Sequence, residues 1–401
     1  MQPFGDWTRL GFPPDGKSIN LNCTGITAQG PCPGSVFDER FGQRPPLYAP
    51  FSPNPVYSNI GWVLLGRVFD KVSGEPAHEF IQEAIWGPTG MNHTFATKPD
   101  DSLGFIPAND ELWNVDIGFE RAAGNYYSSI NDLHAFGDAI LKYKLLSPSK
   151  TRKWMKPATG TSSEGTFIGI PWEIFRSNKM TKEGCVVEIY TKGGDMFTYH
   201  SILGLIPDYD MVVTILVAGP QMNGGVVEDL FSGIIEELLP AVEQAGKEES
   251  KISHAGTYTD TATNSSLTLS LDDAPGFSVT DWTVRGVDII NTYLSIGLRP
   301  VFPTPQELVR FRLYPTNLVA DGYSSWHTIA TTGTVKEINN FNAKIVWPGT
   351  GCVTWGGVDR SAYQLLSQDH VVFKKTKGED GKTATELELV GYGVTLKRQE
   401  V

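Results

Sequence analysis

"PVYSNIGWVLLG", residues 55–66, sets a tyrosine and an asparagine two positions apart at the entry to an apolar helical run. On local pattern alone, Tyr57 fills a gap and Asn59 caps the helix, since Asn, Asp, Ser and Thr accept a backbone N–H of the first turn. Ile60, Val63, Leu64, Val68 and Val72 then recur at helical spacing until Gly74 stops them. Ala77, Phe80, Ile81, Ala84 and Ile85 repeat the pattern up to "GPTG" at 87–90, so the spacing predicts two helices with buried faces. In "SSINDLHAFGDAILKYKLL" (128–146), Ser129 and Asp132 form a box-like start to a third helix, and Leu133, Phe136 and Ile140 supply its apolar stripe.

Around these helices the patterning changes. Residues 1–55 carry Gly, Pro and Asn punctuation without a sustained period and read as loop. "CVVEIYTKGG" (185–194), "TYHSILGLIPD" (198–208) and "DMVVTILVAG" (210–219) are β-branched and apolar, and they predict a three-stranded antiparallel meander. "VVEDLFSGIIEELLPAVEQ" (226–244) places Val227, Leu230, Phe231, Ile234, Ile235, Leu238 and Val242 on one side, as a helix lying over a sheet would. "QAGKEESKISHAG" (244–256) reads as a solvated linker. Beyond about residue 252 no helical pattern remains, and "SSLTLSLDD", "GFSVTDWTV", "LVRFRLYP", "HVVFKK" and "TELELVGYGVTLKR" alternate with period two. The expectation is an α+β fold: a mixed domain over 1–250, followed by an all-β barrel or sandwich over 251–401 with no polar constellation suited to chemistry.

Composition narrows the function classes. The chain has 401 residues, 40% hydrophobic and 19% charged, enough for two domains with sizeable cores. A formal net charge of −12 without a basic cluster argues against nucleic acid as a partner. No apolar stretch approaches the ~20 residues of a spanning helix, so no membrane partner is expected. "MQPFGDWTRL" also lacks the layout of a signal peptide. Neither C-x-x-C nor H-x-x-x-H spacing occurs, so no metal or other cofactor is expected. Cys23 and Cys32 bracket a short polar loop that a disulfide would staple, while Cys185 and Cys352 stand alone. With the N-x-[ST] sequons at Asn22, Asn92 and Asn264, the cysteines tilt the expectation towards a secreted glycoprotein.

In this order the motifs resemble the serine β-lactamase-like family, the superfamily of class C β-lactamases, D-alanyl-D-alanine carboxypeptidases and other penicillin-binding-protein-like enzymes. Tyr57-x-Asn59, the "GWVLLG" helix, the turn at Gly74 and the "GPTGMNHT" end follow one another as they do there. "YTKGGDMFTYHSILGLIPDYDMVVTILVAG" resembles the family's K-x-G strand and the hairpin behind it, and the β module resembles the C-terminal domain of fungal secreted members. The resemblance implies a hydrolase or acyltransferase acting on amide, ester or lactone bonds of a small acyl substrate. It implies that Tyr57 is the phenolate or proton relay, that Asn59 hydrogen-bonds the substrate amide and that Lys192 keeps the site positive. Gly193 and Gly194 would let substrate lie against the strand, and the N–H of Asp195 would form half of an oxyanion hole. One element departs: the family's S-x-x-K nucleophile precedes Y-x-N, whereas the single S-x-x-K here, Ser147 to Lys150, follows it. Two expectations stand together. Either the chain is a fragment of such a hydrolase, prone to self-association through an uncovered core, or it is an inactive pseudoenzyme that binds ligand.

The cysteine loop has a direct test. The eight residues between Cys23 and Cys32 close a short ring, for which loop entropy gives a stabilisation of about 2–3 kcal/mol. Non-reducing peptide mapping of protein from an oxidising compartment is expected to recover the two cysteines bridged; two free thiols would contradict the secreted assignment.

Overall fold

The computed structural model of the chain describes residues 33–43, 45, 55–108, 110, 112–181, 184–219, 225–295, 310–331, 336, 340, 343–344, 362–375 and 383–399. Cys23, Cys32, Cys352 and the sequon at Asn22 lie outside the described residues, whereas Asn92 and Asn264 are exposed. The chain divides into two units, Met1–Ser177 with Val187–Ile235, and Asn178–Val186 with Glu236–Val401.

In the first unit a helix, α1 (Gly34–Gly42), stands inside the segment whose Gly and Pro content predicts a loop. The next, α2 (Asn59–Ser73), is capped by Ser58 and not by Asn59: Ser58 is extended at φ −150° and its Oγ accepts the Gly61 N–H at 3.0 Å. Asn59 is therefore the first helical residue. Gly74, at φ 80°, ends the helix and donates its N–H to Asp70, a left-handed turn that glycine adopts without a Cβ penalty. Of the expected buried face of α2 only Val63 is buried, while Val68 and Val72 remain 60% and 81% exposed. The second predicted helix is irregular, passing from α3 (Ala77–Ile81) through a π turn at Gln82–Trp86 into α4 (Gly87–Thr89).

Helix α5 (Ile130–Leu141) begins as expected, with Ser129 Oγ accepting the Asp132 N–H. The Asp132 carboxylate does not complete a capping box. It turns inward and accepts the His93 N–H at 2.7 Å and the Thr94 hydroxyl at 2.8 Å, tying α5 to the segment after α4. A short helix, α6 (Pro148–Trp154), follows.

The sheet has six strands where three are predicted: β1 (Thr159–Gly160), β2 (Thr166–Ile168), β3 (Glu173–Ser177), β4 (Val187–Met196), β5 (Tyr199–Ile206) and β6 (Met211–Ala218), antiparallel in chain order. β1 is only two residues long, and β2 and β3 escape the pattern because Gly169 and Pro171 break "GTFIGIPWEIFRS" (165–177) into runs too short to alternate. On one face Tyr190, Leu203 and Leu205 pack with Ile140, Met155, Trp172 and Ile174. There α5 approaches so closely that a Cβ on Gly137 would meet Val212 at 2.6 Å. On the other face Phe231 of α7 (Gly225–Ser253) covers Gly204, where a Cβ would fall 2.4 Å from its ring. Helix α7 continues through 244–253, the segment predicted as linker. Its Ala, Gln, Glu and Lys residues are strong helix formers, and with no buried face they mimic a solvated tract.

The second unit resolves the choice between barrel and sandwich. Its elements are β7 (Gly256–Asp260), β8 (Ser265–Ser270), β9 (Phe277–Val284), β10 (Val287–Asp288), α8 (Ile289–Ser295), β11 (Arg310–Ala320), β12 (Tyr323–Thr331), the small hairpin β13 (Ala362–Tyr363) and β14 (Leu366–Ser367), then β15 (His370–Lys375), β16 (Ala384–Leu389) and β17 (Val394–Arg398). The order β9-β11-β12-β15-β16-β17-β7-β8 closes through pairing of β8 with β9, giving an eight-stranded barrel in which the closure itself removes exposed strand edges. Helix α8 corrects the expectation that no helix follows residue 252. Tyr258, Leu267, Phe277, Trp282, Leu313, Phe373, Leu387 and Leu396 fill the interior, each no more than 2% exposed. A polar cluster, absent from the sequence reading, joins strands β12 and β15: Ser325 Oγ lies 2.9 Å from His370 Nε2, and His327 Nδ1 lies 3.1 Å from Asp369, with the two imidazoles stacked.

His254, after α7, is buried against Phe277, Trp326 and Phe373 with Nδ1 against the Ser253 hydroxyl at 2.7 Å. Burial, aided by the Lys375 and Arg398 charges, pushes its pKa down to about 4. The native chain thus holds this imidazole neutral, whereas the unfolded chain protonates it below its ordinary value near 6.5. Stability is therefore lost as pH falls from about 6.5 towards 4, by about 2–3 kcal/mol. Thermal melting between pH 7 and pH 4.5 is expected to fall less steeply for His254→Phe than for the parent, and parallel curves would contradict this.

Candidate active site

The site is built where β4 outruns β3. Strand β3 pairs with β4 only from Ser177↔Val187 to Glu173↔Thr191, so among the described residues Lys192–Met196 have no strand partner on that side. On the other side they stay paired with β5 down to Met196↔Tyr199. Backbone groups along an antiparallel strand alternate in direction. The Gly193 N–H points to the open side, where it meets Glu173 Oε2 at 3.4 Å. The unbroken register then aims the Asp195 N–H, two residues on, the same way.

Lys192 stands on the sheet face that also carries Tyr190, Leu203 and Leu205. Its Nζ lies 5.5 Å from the centroid of the Tyr57 ring, so residues 135 positions apart in sequence meet as a cation over an aromatic face. Tyr57 itself is 70% exposed, leaving the rest of its ring and its hydroxyl accessible. Asn59 is exposed at the start of α2, and among the described residues no hydrogen bond joins it to Lys192, Gly193, Gly194 or Asp195. Gly194 faces Ser201, whose Oγ would lie 2.5 Å from a Cβ placed there, so a side chain at this position would crowd the strand.

Sequence reasoning missed two features of this edge. The first is Glu173, the opening residue of β3: its Oε1 accepts from Lys192 Nζ at 3.0 Å, and Nζ also donates to Gly193 O at 2.8 Å. Lys192 is thus ion-paired instead of leaving the site positive as expected. No spacing rule finds Glu173, because the contact depends on where β3 starts. The second is an aromatic wall at the end of the hairpin. Tyr199 lies on the same face as Ser201, with ring centroids of Trp113 at 6.0 Å from Tyr199 and 4.8 Å from Tyr127, and burial raises the Tyr199 pKa to about 12. Behind the sheet, on the opposite face, buried His200 sits 3.1 Å from Asp195 Oδ1 but outside hydrogen-bond alignment; neither of its ring nitrogens has a partner among the described residues.

The S-x-x-K serine lies in a different setting. Ser147 is the residue before α6, exposed, with its Oγ 3.4 Å from Ser149 Oγ. Lys150 is exposed as well, and no hydrogen bond links it to Ser147 among the described residues.

Comparison with known proteins agrees with this architecture. Residues 24–232 match the family described as Beta-lactamase, and residues 246–400 match the one described as Beta-lactamase-like-like, C-terminal domain. A beta-lactamase-like protein of Arthroderma benhamiae is 26% identical over 97% of this chain and 68% of its own length. A protein of Cochliobolus lunatus named "Probable hydrolase clz13" is 28% identical over 60% of this chain and 40% of its own length, so the chain spans about two-fifths of that relative. Among solved structures, a D-amino acid amidase from Ochrobactrum anthropi complexed with D-phenylalanine is 20% identical, covering 50% of this chain and 68% of the amidase, with a TM-score of 0.40. With more than half of its length matched by that one family and most of the remainder by its companion C-terminal domain, the chain belongs to the beta-lactamase-like hydrolase family.

Proposed function

We propose that the open edge of β4 binds the acyl group of a small amide, ester or lactone, and that this 401-residue chain is the binding part of a β-lactamase-like hydrolase or acyltransferase that does not acylate by itself. The observation that carries this is the meeting of Lys192 with the Tyr57 ring beside two outward backbone N–H groups. In this reading the substrate lies along the edge as an added strand, and the Asp195 N–H donates to its carbonyl oxygen in the manner of an oxyanion hole. Tyr57 and Asn59 line the mouth, and Lys192 orients the polar end of the ligand. Gly193 and Gly194 let the ligand approach the strand without meeting a Cβ.

An acylating enzyme also needs a hydroxyl next to a group that takes its proton. Ser147 has a serine for a neighbour and lies on an exposed turn, and the Ser58 hydroxyl is occupied as the cap of α2. The proposal is therefore a site that polarises a carbonyl and in which, among the described residues, neither Ser147 nor Ser58 is placed to attack it. A catalytically silent ligand-binding protein shares that site, and the two differ only in whether a nucleophile is supplied to it.

Incubation with a reactive β-lactam or a fluorophosphonate, followed by intact-mass measurement, is expected to show no stoichiometric adduct. An adduct mapped to Ser147 would contradict the assignment. Calorimetric titration with an N-acyl-D-alanine ester tests the binding half. Lys192→Met and Tyr57→Ala are each expected to weaken it about tenfold, in line with loss of one charge-assisted contact, and unchanged affinity in both would place the ligand elsewhere.

A further inference from the structure

The same edge carries its own carboxylate, and we propose that Glu173 makes the site select uncharged acyl substrates, esters and amides, over those bearing a free carboxylate. This rests on the reading of the edge as the acyl site. A ligand carboxylate arriving at Lys192 seeks an ammonium and a neighbouring N–H. Glu173 already holds both, with Oε1 3.0 Å from Lys192 Nζ and Oε2 3.4 Å from the Gly193 N. An anionic ligand must displace this side chain or lie against it as a like charge. A neutral carbonyl is met by the outward Asp195 N–H, which Glu173 leaves to it, and brings no like charge against the Glu173 carboxylate.

The backbone places Glu173 firmly. It opens β3 between Trp172 and Ile174, both buried, and is registered opposite Thr191, whose hydroxyl donates to the Glu173 carbonyl at 2.9 Å. The carboxylate therefore reaches the edge from a fixed strand end. Its side chain and that of Lys192 are about one-third exposed, 33% and 34%, so solvent weakens the pair without removing it. Beyond Gly194 the face continues into Tyr199, backed by the buried Trp113, an aromatic surface for the apolar part of a neutral substrate. Specificity of this kind comes from a repulsive element as much as from an attractive one.

The test compares N-acetyl-D-alanyl-D-alanine with its methyl ester, by calorimetric titration of the parent chain, Glu173→Gln and Glu173→Ala, with melting curves confirming that each variant is folded. The parent is expected to bind the ester about tenfold more tightly than the acid, the scale of one like charge a few ångströms away in partly hydrated surroundings. In both variants that ratio is expected to fall to near one or to invert. A role of Glu173 in folding alone would shift the melting temperature and leave the ratio where it was. If both ligands bind and the ratio is the same in all three proteins, the proposal is overturned while the edge remains the site. If the ester binds none of them, the reading of the edge fails and this proposal with it.

Discussion

A strand that outlasts its neighbour exposes backbone groups that must find partners, and the described site follows from that constraint. β3 begins at Glu173 while β4 runs on to Met196. The N–H of Gly193, left without a ladder partner, takes the Glu173 carboxylate, which in turn ion-pairs Lys192. Lys192, so held, lies over the Tyr57 ring. Gly193, Gly194 and Asp195 are exposed, so their edge N–H groups are satisfied by the chain's own acceptor, by water or by a ligand. Recognition and local stability compete for the same N–H groups.

The rest of the first unit packs behind this edge. Helices pack on both faces of the sheet through glycines that permit close approach, Gly137 of α5 and Gly204 of β5 under α7. The hairpin β4–β5 is paired without a bulge along its length. The second unit solves the edge problem in the opposite way, by closing eight strands on themselves around an aromatic and aliphatic core. Burial there lowers the His254 pKa, while the polar cluster of Ser325, His327, Asp369 and His370 is drawn from β12, β15 and the turn before β15.

How much of this was legible in the sequence varied with the range of the interaction. Helices α2 and α5 and strands β4, β5, β6, β8, β9 and β15 carried regular apolar periods and were readable directly. Tyr57, Lys192 and the glycines after it were legible by motif, and the structure brings Tyr57 and Lys192 together. The start of α2 was misread by one residue, because Ser58 and Asn59 are both good caps and only φ distinguishes them. Strand β1 was hidden by its two-residue length, β2 and β3 by Gly169 and Pro171, and the end of α7 by its charged composition. Glu173 was invisible because its role is set by strand register, which no local pattern encodes. The polar cluster of the barrel was hidden for the same reason, since β12 and β15 are far apart in sequence and meet only through pairing.

The central claim is that ligand joins the free edge of β4. Backbone amide shifts of the isotopically labelled chain, followed during titration with a neutral acyl ester, test it most directly. The Gly193 and Asp195 amides are predicted to move together and saturably, with the inward-paired Lys192 and Gly194 amides moving less. Saturable shifts confined to other segments, with Gly193 and Asp195 unmoved, would contradict it.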